Sequence, residues 1–351
     1  MLCLLFSCYS IFSQDPNFHI YLCFGQSNMK GNAAVEAQDK TNVDSRFKLM
    51  AGIDCPGLKR TMGSWYTAVP PLCRCSSGLT PVDYFGRTLV DSLPENITVG
   101  VINVAVGGCK IELFDKVNYA AYIESTNGDW LKNDVKDYGG NPYERLVELG
   151  KLAQKDGVIK GILVHQGESN KGEKTWPQKL KGVYDNLISD LGLNPTQTPL
   201  LVGEVVHSSV NGKCGIHNEI IAAIPSVIPN SYIISSAQLQ PASDSLHFTA
   251  ASYRILGKRY AEKMLSILKP NTARRYVTNK IVKVNPFHAD GFVIRLDGKF
   301  TYQITDIKGS VMESGTGMNM LKTGKSLSRG VYLISVTNKN GKFSQKILKS
   351  I

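Results

Sequence analysis

Short apolar runs alternate with longer amphipathic segments along the first three quarters of the chain. The apolar runs predict buried strands at His19–Phe24, Thr98–Val106, Val158–His165, Leu200–Val206 and Tyr232–Ala237. The segments between them predict helices at Val82–Leu93, Tyr143–Gln154, Thr175–Leu191, Ile216–Ile224 and Ala250–Leu268. Apolar strands that alternate with helices predict a three-layer α/β/α sandwich around a mainly parallel sheet, as in flavodoxin-like folds. Ligands bind at the carboxyl ends of the strands in such folds, so we expect the chemistry there.

The pattern changes after Pro270, where apolar and polar residues alternate. These stretches predict strands at Phe292–Leu296, Phe300–Ile307, Val331–Thr337 and Phe343–Leu348, with glycine turns at Asp297-Gly298, Lys308-Gly309 and Asn340-Gly341. A period of two between closely spaced turns predicts a small antiparallel all-β sandwich. We therefore expect two domains, residues 15–269 and 270–351, joined within the polar stretch Lys269–Asn279.

Composition and charge narrow the class of protein. Of 351 residues, 42% are hydrophobic and 20% are charged, which excludes an intrinsically disordered chain. No run approaches the roughly 20 apolar residues of a membrane-spanning helix, so we expect no integral membrane segment. The net charge of +11 arises mostly in residues 270–351, which hold 14 Lys and Arg against 4 Asp and Glu. Because these cations are scattered between strand-like runs, they indicate a solvated domain face and no nucleic-acid partner.

Residues 1–14 are predicted to be an export signal, because a short apolar run ends at the polar Gln14. Export places the other six cysteines in an oxidising compartment. Fifteen pairings are then open among Cys23, Cys55, Cys73, Cys75, Cys109 and Cys214. The loop cysteines Cys73 and Cys75 lie near Cys55 in the sequence and suit a disulfide. Cys23 lies in an apolar strand and suits a buried free thiol.

Three predicted strands end in small or polar residues that packing does not require. The motif F-G-Q-S-N-M-K-G at residues 24–31 places Ser27 on a sharp turn after a strand and a glycine. In V-G-G-C-K-I-E at residues 106–112, the paired glycines let a backbone N–H approach a ligand closely. The third motif, H-Q-G-E-S-N at residues 165–170, contains an amide donor in Gln166. Each motif taken alone is also typical of an ordinary polar turn.

A fourth motif, D-S-L-H-F-T at residues 244–249, precedes the last predicted helix. Asp244 stands three residues before His247, so its carboxylate can reach the imidazole and fix the tautomer. The other imidazole nitrogen is then free to take a proton from Ser27. Taken alone, this spacing is more often a helix cap beside a histidine. The four motifs together, in this order on strand ends, predict nucleophilic catalysis by serine.

The motif set resembles that of the SGNH hydrolases. G-Q-S-N-M, V-G-G, H-Q-G-E and D-x-x-H-F are similar to the branch that holds the sialate O-acetylesterases and the sixth family of carbohydrate esterases, which includes acetylxylan esterases. The resemblance covers roughly Phe18–Leu268. It implies the SGNH form of the α/β/α fold and a serine esterase that removes O-acetyl groups from a carbohydrate. It implies no metal and no organic cofactor.

The resemblance also implies roles for individual residues. It makes Ser27 the nucleophile, His247 the general base and Asp244 its orienting carboxylate. The oxyanion hole would use the N–H groups of Ser27 and Gly108 and the side chain of Gln166. We expect contact with the sugar from Gln26, Asn28, Glu168 and Trp65, with Trp65 placed in a loop. For Glu168, bracing of its loop is the favoured role. The sequence departs from this branch at Cys109, where Thr is expected, and from the wider superfamily in having H-Q-G-E where that superfamily has G-x-N-D.

The tail resembles the C-terminal sorting domain of the type nine secretion system. The resemblance rests on V-N-P-F, L-S-R-G-V-Y-L-I-S-V and K-F-S-Q-K-I-L-K. It implies that the type nine secretion machinery is a partner of this domain. It also implies a secreted or cell-surface protein that has passed through the periplasm and the outer membrane.

Three functional hypotheses remain open at this point. The first is a carbohydrate O-acetylesterase, with sialic acid and xylan both possible as the sugar. The second is a non-catalytic carbohydrate-binding surface protein, against which the presence of all three catalytic residues speaks. The third is an esterase for lipid or aryl esters, which would need a long apolar groove. The loops at residues 39–63 and 118–140 are polar and suit sugar hydroxyls better.

Overall fold

In the computed structural model, residues 14–268, 292–338 and 341–349 are described. The chain divides into two compact units, Met1–Leu268 and Lys269–Ile351. The predicted export signal, apart from Gln14, lies outside the described residues, and so does the predicted joining stretch Lys269–Asn279. No helix in the described part of the chain is both long and apolar enough to cross a membrane.

The N-terminal unit is built on a seven-stranded sheet. Its strands are β1 (Asp15–Gly25), β2 (Phe47–Met50), β3 (Trp65–Thr67), β4 (Thr98–Ala105), β5 (Gly157–His165), β6 (Leu200–Gly203) and β7 (Ser231–Ile234). The strand order is β3-β2-β4-β1-β5-β6-β7. Neighbouring strands are parallel except for the pair β2 and β3, which is antiparallel. The predicted mainly parallel sheet is confirmed.

Helices cover both faces of this sheet. They are α1 (Ser27–Lys30), α2 (Ala37–Lys40), α3 (Pro81–Ser92), α4 (Tyr119–Ser125), α5 (Trp130–Val135), α6 (Pro142–Ala153), α7 (Trp176–Asp190), α8 (Asn218–Ile221), α9 (Ile224–Val227) and α10 (Ala250–Leu268). Side chains of β1 alternate between two cores, since Leu22 packs with α6 and α7 and Tyr21 packs with α3 and α10. The three-layer α/β/α sandwich therefore has one hydrophobic core on each side of the sheet.

Short elements differ from the prediction. The strands β2 and β3 and the helices α1, α2, α4 and α5 are three to seven residues long and were not predicted, because such short runs show no clear period. The helix predicted at Ile216–Ile224 is wrong as one element. It is instead a 3₁₀ turn at Gly215–His217 followed by α8 and α9. Pro225 lies in the first turn of α9, where its missing N–H favours a new helix start over continuation.

The C-terminal unit is a four-stranded antiparallel sheet in the order β11-β10-β8-β9. Its strands are β8 (Phe292–Thr305), β9 (Val311–Thr323), β10 (Gly330–Asn338) and β11 (Gly341–Lys349). The turn predicted at Asp297-Gly298 is wrong, because this pair lies inside β8 where the register shifts between Leu296 and Lys299. Gly298 has a φ of +83° there, as suits a β-bulge. The two strands predicted on either side of it therefore form one.

Candidate active site

The Ser27 hydroxyl lies just beyond the carboxyl end of β1, the central strand of the seven-stranded sheet. At Gly25 the chain has a φ of +151°, and a Cβ there would lie 2.1 Å from the carbonyl oxygen of His165 at the end of β5. Only glycine lets β1 leave the sheet so close to β5. The chain then turns directly into α1, whose first residue is Ser27, and 8% of the Ser27 surface remains exposed.

Ser27, His247 and Asp244 form a continuous chain of hydrogen bonds. His247 lies in the loop between β7 and α10, and its Nε2 is 2.8 Å from Ser27 Oγ. Its Nδ1 is 2.5 Å from Oδ2 of Asp244. The other Asp244 oxygen accepts hydrogen bonds from the backbone N–H groups of Leu246 and His247, at 2.9 and 3.0 Å. These two bonds fold the D-S-L-H segment into a turn that aims the imidazole at the serine.

The carboxyl of Asp244 is charged at neutral pH. Partial burial raises its pKa, but the hydrogen bonds from His247 and Leu246 and the charge of His247 outweigh burial and lower the pKa to about 2. A carboxylate at Nδ1 favours the tautomer that carries its proton on Nδ1. It also stabilises the imidazolium that forms when Nε2 accepts a proton.

Two backbone donors are available beside Ser27. The N–H of Ser27 begins α1, and the N–H of Gly108 follows β4 at a φ of +70°. Neither group donates to an acceptor among the described residues. The carbonyl of Gly108 accepts a hydrogen bond of 2.9 Å from Ser169 Oγ, which holds this turn in place. The predicted pair of N–H donors therefore lies on neighbouring strand ends, unpaired.

The prediction for Gln166 differs from the structure. Its side chain is fully buried, and its amide nitrogen faces three acceptors: Gln26 Oε1 at 3.2 Å, Cys109 O at 3.3 Å and Asn170 Oδ1 at 2.7 Å. The indole N–H of Trp176 donates to Gln166 Oε1 and fixes the amide in this orientation. In this structure the Gln166 amide group therefore donates to acceptors inside the protein.

The side chains of Gln26, Asn28 and Glu168, which are predicted to contact the sugar, are likewise directed into the protein. All three side chains are at least 94% buried. Gln26 Oε1 accepts from the N–H groups of Gly167 and Ser169, which ties β1 to the loop after β5. Asn28 Nδ2 donates to the Glu168 carboxylate. These residues therefore brace the strand ends beneath the site.

Trp65 lies away from the site. It belongs to β3 rather than to a loop, and its indole N–H donates to Asp156 at 2.9 Å. Its ring packs against Phe18, with 4.8 Å between the ring centroids. Asp156 immediately precedes β5 and Phe18 lies in the first half of β1, so these contacts are at the amino ends of the strands. The carboxyl ends, where Ser27 lies, are on the opposite edge of the sheet.

A lysine beside Ser27 was not among the residues that the sequence predicted for the site. Lys30 lies one helical turn after Ser27 in α1. Its Nζ and the Cβ of Ser27 lie 3.1 and 3.9 Å from the point that a Cβ on Gly107 would occupy. This amine has no hydrogen-bond or ion-pair partner within the described ranges. The three-residue spacing from Ser27 was a usable signal, because residues three apart share one face of a helix.

Lys30 lines a cavity of about 200 Å³ together with residues of two loops and α5: Ile53, Arg74, Cys75, Ser76, Ser77, Asp134 and Asp137. Arg74 is paired with Asp134 and Asp137, which leaves Lys30 as the cation of this cavity without a counter-ion among the described residues. A disulfide joins Cys75 to Cys55 and closes one wall, whereas Cys23 is a buried free thiol as expected.

An exposed aromatic ring lies on the other side of the paired glycines. Trp130 opens α5 and is 43% exposed. One of its ring carbons is 3.4 Å from the point that a Cβ on Gly108 would occupy. Within the described part of the chain, no group of three or more His, Cys, Asp and Glu side chains is placed to hold a metal ion.

Several solved structures share the fold of this chain. A protein from Arabidopsis thaliana has a TM-score of 0.54 at 21% identity over 72% of this chain and 99% of its own. NanS has a TM-score of 0.53 at 16% identity over 73% of this chain and 99% of its own. A carbohydrate acetylesterase from Xanthomonas citri has a TM-score of 0.51 at 14% identity, covering 93% of this chain and 80% of its own.

Family comparisons cover both units. The family described as "Carbohydrate esterase, sialic acid-specific acetylesterase" matches residues 17–266. The family described as "Secretion system C-terminal sorting domain" matches residues 285–350. The sorting domain indicates export and a cell-surface or secreted location. The chain therefore belongs to the carbohydrate esterase family of the sialic acid-specific acetylesterases and carries a C-terminal secretion sorting domain.

Proposed function

We propose that this carbohydrate esterase is a serine O-acetylesterase with Ser27, His247 and Asp244 as its catalytic triad. The observation that carries the proposal is the unbroken chain from Ser27 Oγ through His247 to the charged Asp244, at 2.8 and 2.5 Å. This chain lies at the carboxyl edge of a parallel sheet, where such folds hold their ligands. A carbohydrate-binding protein without catalysis would not need a carboxylate, an imidazole and a hydroxyl hydrogen-bonded in this order.

The proposed reaction begins with proton transfer from Ser27 Oγ to His247 Nε2 as the oxygen attacks the acetyl carbonyl carbon. The N–H groups of Ser27 and Gly108 donate to the resulting oxyanion, each stabilising it by about 3 kcal/mol. The tetrahedral intermediate collapses, and the sugar oxygen leaves with the proton from His247. Water, deprotonated by the same imidazole, then attacks the acetyl-enzyme and releases acetate.

We propose an acidic sugar of the sialic acid type as the substrate, rather than neutral xylan. The unpaired Lys30 amine near Ser27 supports this choice, because an ammonium close to the reacting ester attracts a carboxylate on the same sugar. The cavity of about 200 Å³ beside it has room for part of a sugar rather than for a long acyl chain. The family description supports the same class.

Acetate release from a defined panel tests the activity and the sugar together. The panel contains O-acetylated sialic acid, the same sugar with its carboxylate converted to a primary amide, and acetylated xylan. We expect the acidic sugar to be hydrolysed with at least tenfold higher kcat/KM than its amide, and more efficiently than xylan. Absence of acetate release from every substrate would contradict the esterase proposal, whereas preference for xylan would contradict only the choice of sugar.

Lys30→Met is expected to lower kcat/KM for O-acetylated sialic acid about 10- to 100-fold, mainly by raising KM, because a charge-assisted contact to the carboxylate is lost. Hydrolysis of the amide analogue and of p-nitrophenyl acetate should change less than threefold. The matched control is Lys48→Met on β2, the strand next to the edge strand β3. This variant should hydrolyse all three substrates at the wild-type rate. Equal losses of kcat/KM on charged and neutral substrates would show that Lys30 does not bind the carboxylate.

A further inference from the structure

The residue after the nucleophile is a fully buried asparagine with partners on three segments. Asn28 shows no exposed surface and lies in α1 next to Ser27. Its side chain contacts the loop after β5, the turn that carries His247, and α10. No substrate can reach it, so these contacts need a role within the protein.

Two of these contacts lie on either side of the general base. Asn28 Nδ2 donates to the carbonyl of Leu246 at 3.1 Å, and the N–H of Phe248 donates to Asn28 Oδ1 at 3.4 Å. Leu246 and Phe248 are the chain neighbours of His247. One side-chain amide, attached to the backbone next to Ser27, therefore holds the peptide groups before and after the imidazole.

Two further contacts fix which way the amide points. Glu168 accepts from Asn28 Nδ2 at 2.5 Å, and the hydroxyl of Tyr253 donates to Oδ1 at 2.5 Å. A flipped amide would place its oxygen against the Glu168 carboxylate and the Leu246 carbonyl, and its NH₂ against the N–H of Phe248. These three groups exclude the flipped state, and all hydrogen-bonding capacity of the amide is used.

Glu168 is held as the acceptor by its own surroundings. Its side chain is buried, and His165 Nε2 lies 3.5 Å from the same oxygen that Asn28 contacts. Burial raises the pKa of Glu168, but the nearby imidazole of His165 and the hydrogen bond from Asn28 outweigh burial and lower the pKa. The carboxylate is therefore charged and accepts only.

We propose that Asn28 is a positioning residue that sets the distance between Ser27 and His247, with Glu168 and Tyr253 holding its amide in the working orientation. The inference rests on the proposed esterase chemistry of Ser27. A displacement of about 1 Å at reacting atoms costs on the order of 100-fold in rate. An amide that spans from the nucleophile to both neighbours of the base controls a distance of this kind.

Asn28→Leu keeps the approximate side-chain size and removes all four hydrogen bonds. We expect kcat for an acetylated sugar to fall about 100-fold with KM within threefold of wild type. The matched control is Asn103→Leu, since Asn103 is 1% exposed and donates at 3.0 Å to the carbonyl of Met29 in the same helix. Asn103 makes no hydrogen bond to the His247 turn among the described residues.

The control should lose a similar amount of thermal stability and keep kcat within fivefold. The proposal is overturned if both variants lose kcat in proportion to their melting temperatures, or if Asn28→Leu keeps kcat within fivefold. A wild type that releases no acetate would instead contradict the proposed function, so the two failures are distinguishable.

If Asn28→Leu does not fold, the positioning role of Asn28 is tested by two variants that exchange the charged and amide groups of Asn28 and Glu168. Asn28→Asp places two carboxylates in contact, and we expect kcat to fall at least 100-fold because like charges repel at this distance. In the double variant Asn28→Asp/Glu168→Gln, an amide again faces a carboxylate with the roles reversed. The double variant should regain at least tenfold in kcat over Asn28→Asp, and no gain would overturn the orienting role of Glu168.

Discussion

Ser27→Ala is expected to lower kcat/KM for acetylated sugar about 10⁴- to 10⁶-fold, since no other hydroxyl can form the acetyl-enzyme in its place. The loss should fall on kcat, because the proposed substrate contacts at Lys30 and in the cavity are unchanged. Rapid quenching of the wild type followed by mass spectrometry should detect one acetyl group on the peptide that contains Ser27. The alanine variant should show none and should keep its affinity for the acetylated sugar.

Ser209→Ala provides a matched control, because the chain holds a second serine–histidine pair. Ser209 Oγ lies 2.8 Å from Nδ1 of His207, the same separation as in the proposed triad. No carboxylate hydrogen-bonds this imidazole among the described residues, and the pair is exposed. The variant should keep wild-type activity within twofold. A residual activity of Ser27→Ala above about one tenth would rule out Ser27 as the nucleophile.

The proposed triad was predictable from the sequence in part because the contact between Asp244 and His247 is local. Asp244 and His247 lie on one turn, whose hydrogen bonds are formed within four residues. Ser27 follows a strand whose period and terminal glycine were readable. The role of Gln166 was not predictable, because its amide is turned inward by Trp176 on α7. A polar residue at a strand end indicates that hydrogen bonds form there. Which partner it bonds to depends on tertiary contacts that the local sequence does not show.

In the fold too, elements with a clear local pattern were predicted and elements without one were not. The central strands β1, β4 and β5 were found within a few residues of their bounds, since both of their faces are buried and their apolar runs are continuous. The edge strand β3 has only partly buried residues and three of them, so its pattern carries no period. Trp65 was therefore assigned to a loop near the substrate instead of to the far edge of the sheet.

Asp244→Asn is expected to lower kcat/KM about 10³- to 10⁴-fold at neutral pH, because an amide does not enforce the Nδ1–H tautomer or stabilise the imidazolium. The variant should also change the pH profile. In the wild type, the lowered pKa of Asp244 keeps its interaction with His247 complete above the ordinary aspartate range of about 4, and the interaction is lost only as the pH falls through about 2. On the acid side of the pH profile of kcat/KM, the wild-type activity should therefore fall with the binding of a single proton, the one taken up by the His247 imidazole.

Removing the carboxylate destabilises the imidazolium, so the acid limb of Asp244→Asn should move to lower pH than that of the wild type. A control is Asp115→Asn, because Asp115 likewise accepts from two backbone N–H groups, those of Val117 and Asn118 at 2.8 and 2.9 Å, and has no histidine partner among the described residues. This variant should lose a comparable turn interaction and keep both activity and pH profile. An acid limb that stays in place in Asp244→Asn, or a loss below tenfold, would mean that Asp244 only caps its turn and does not act on the base.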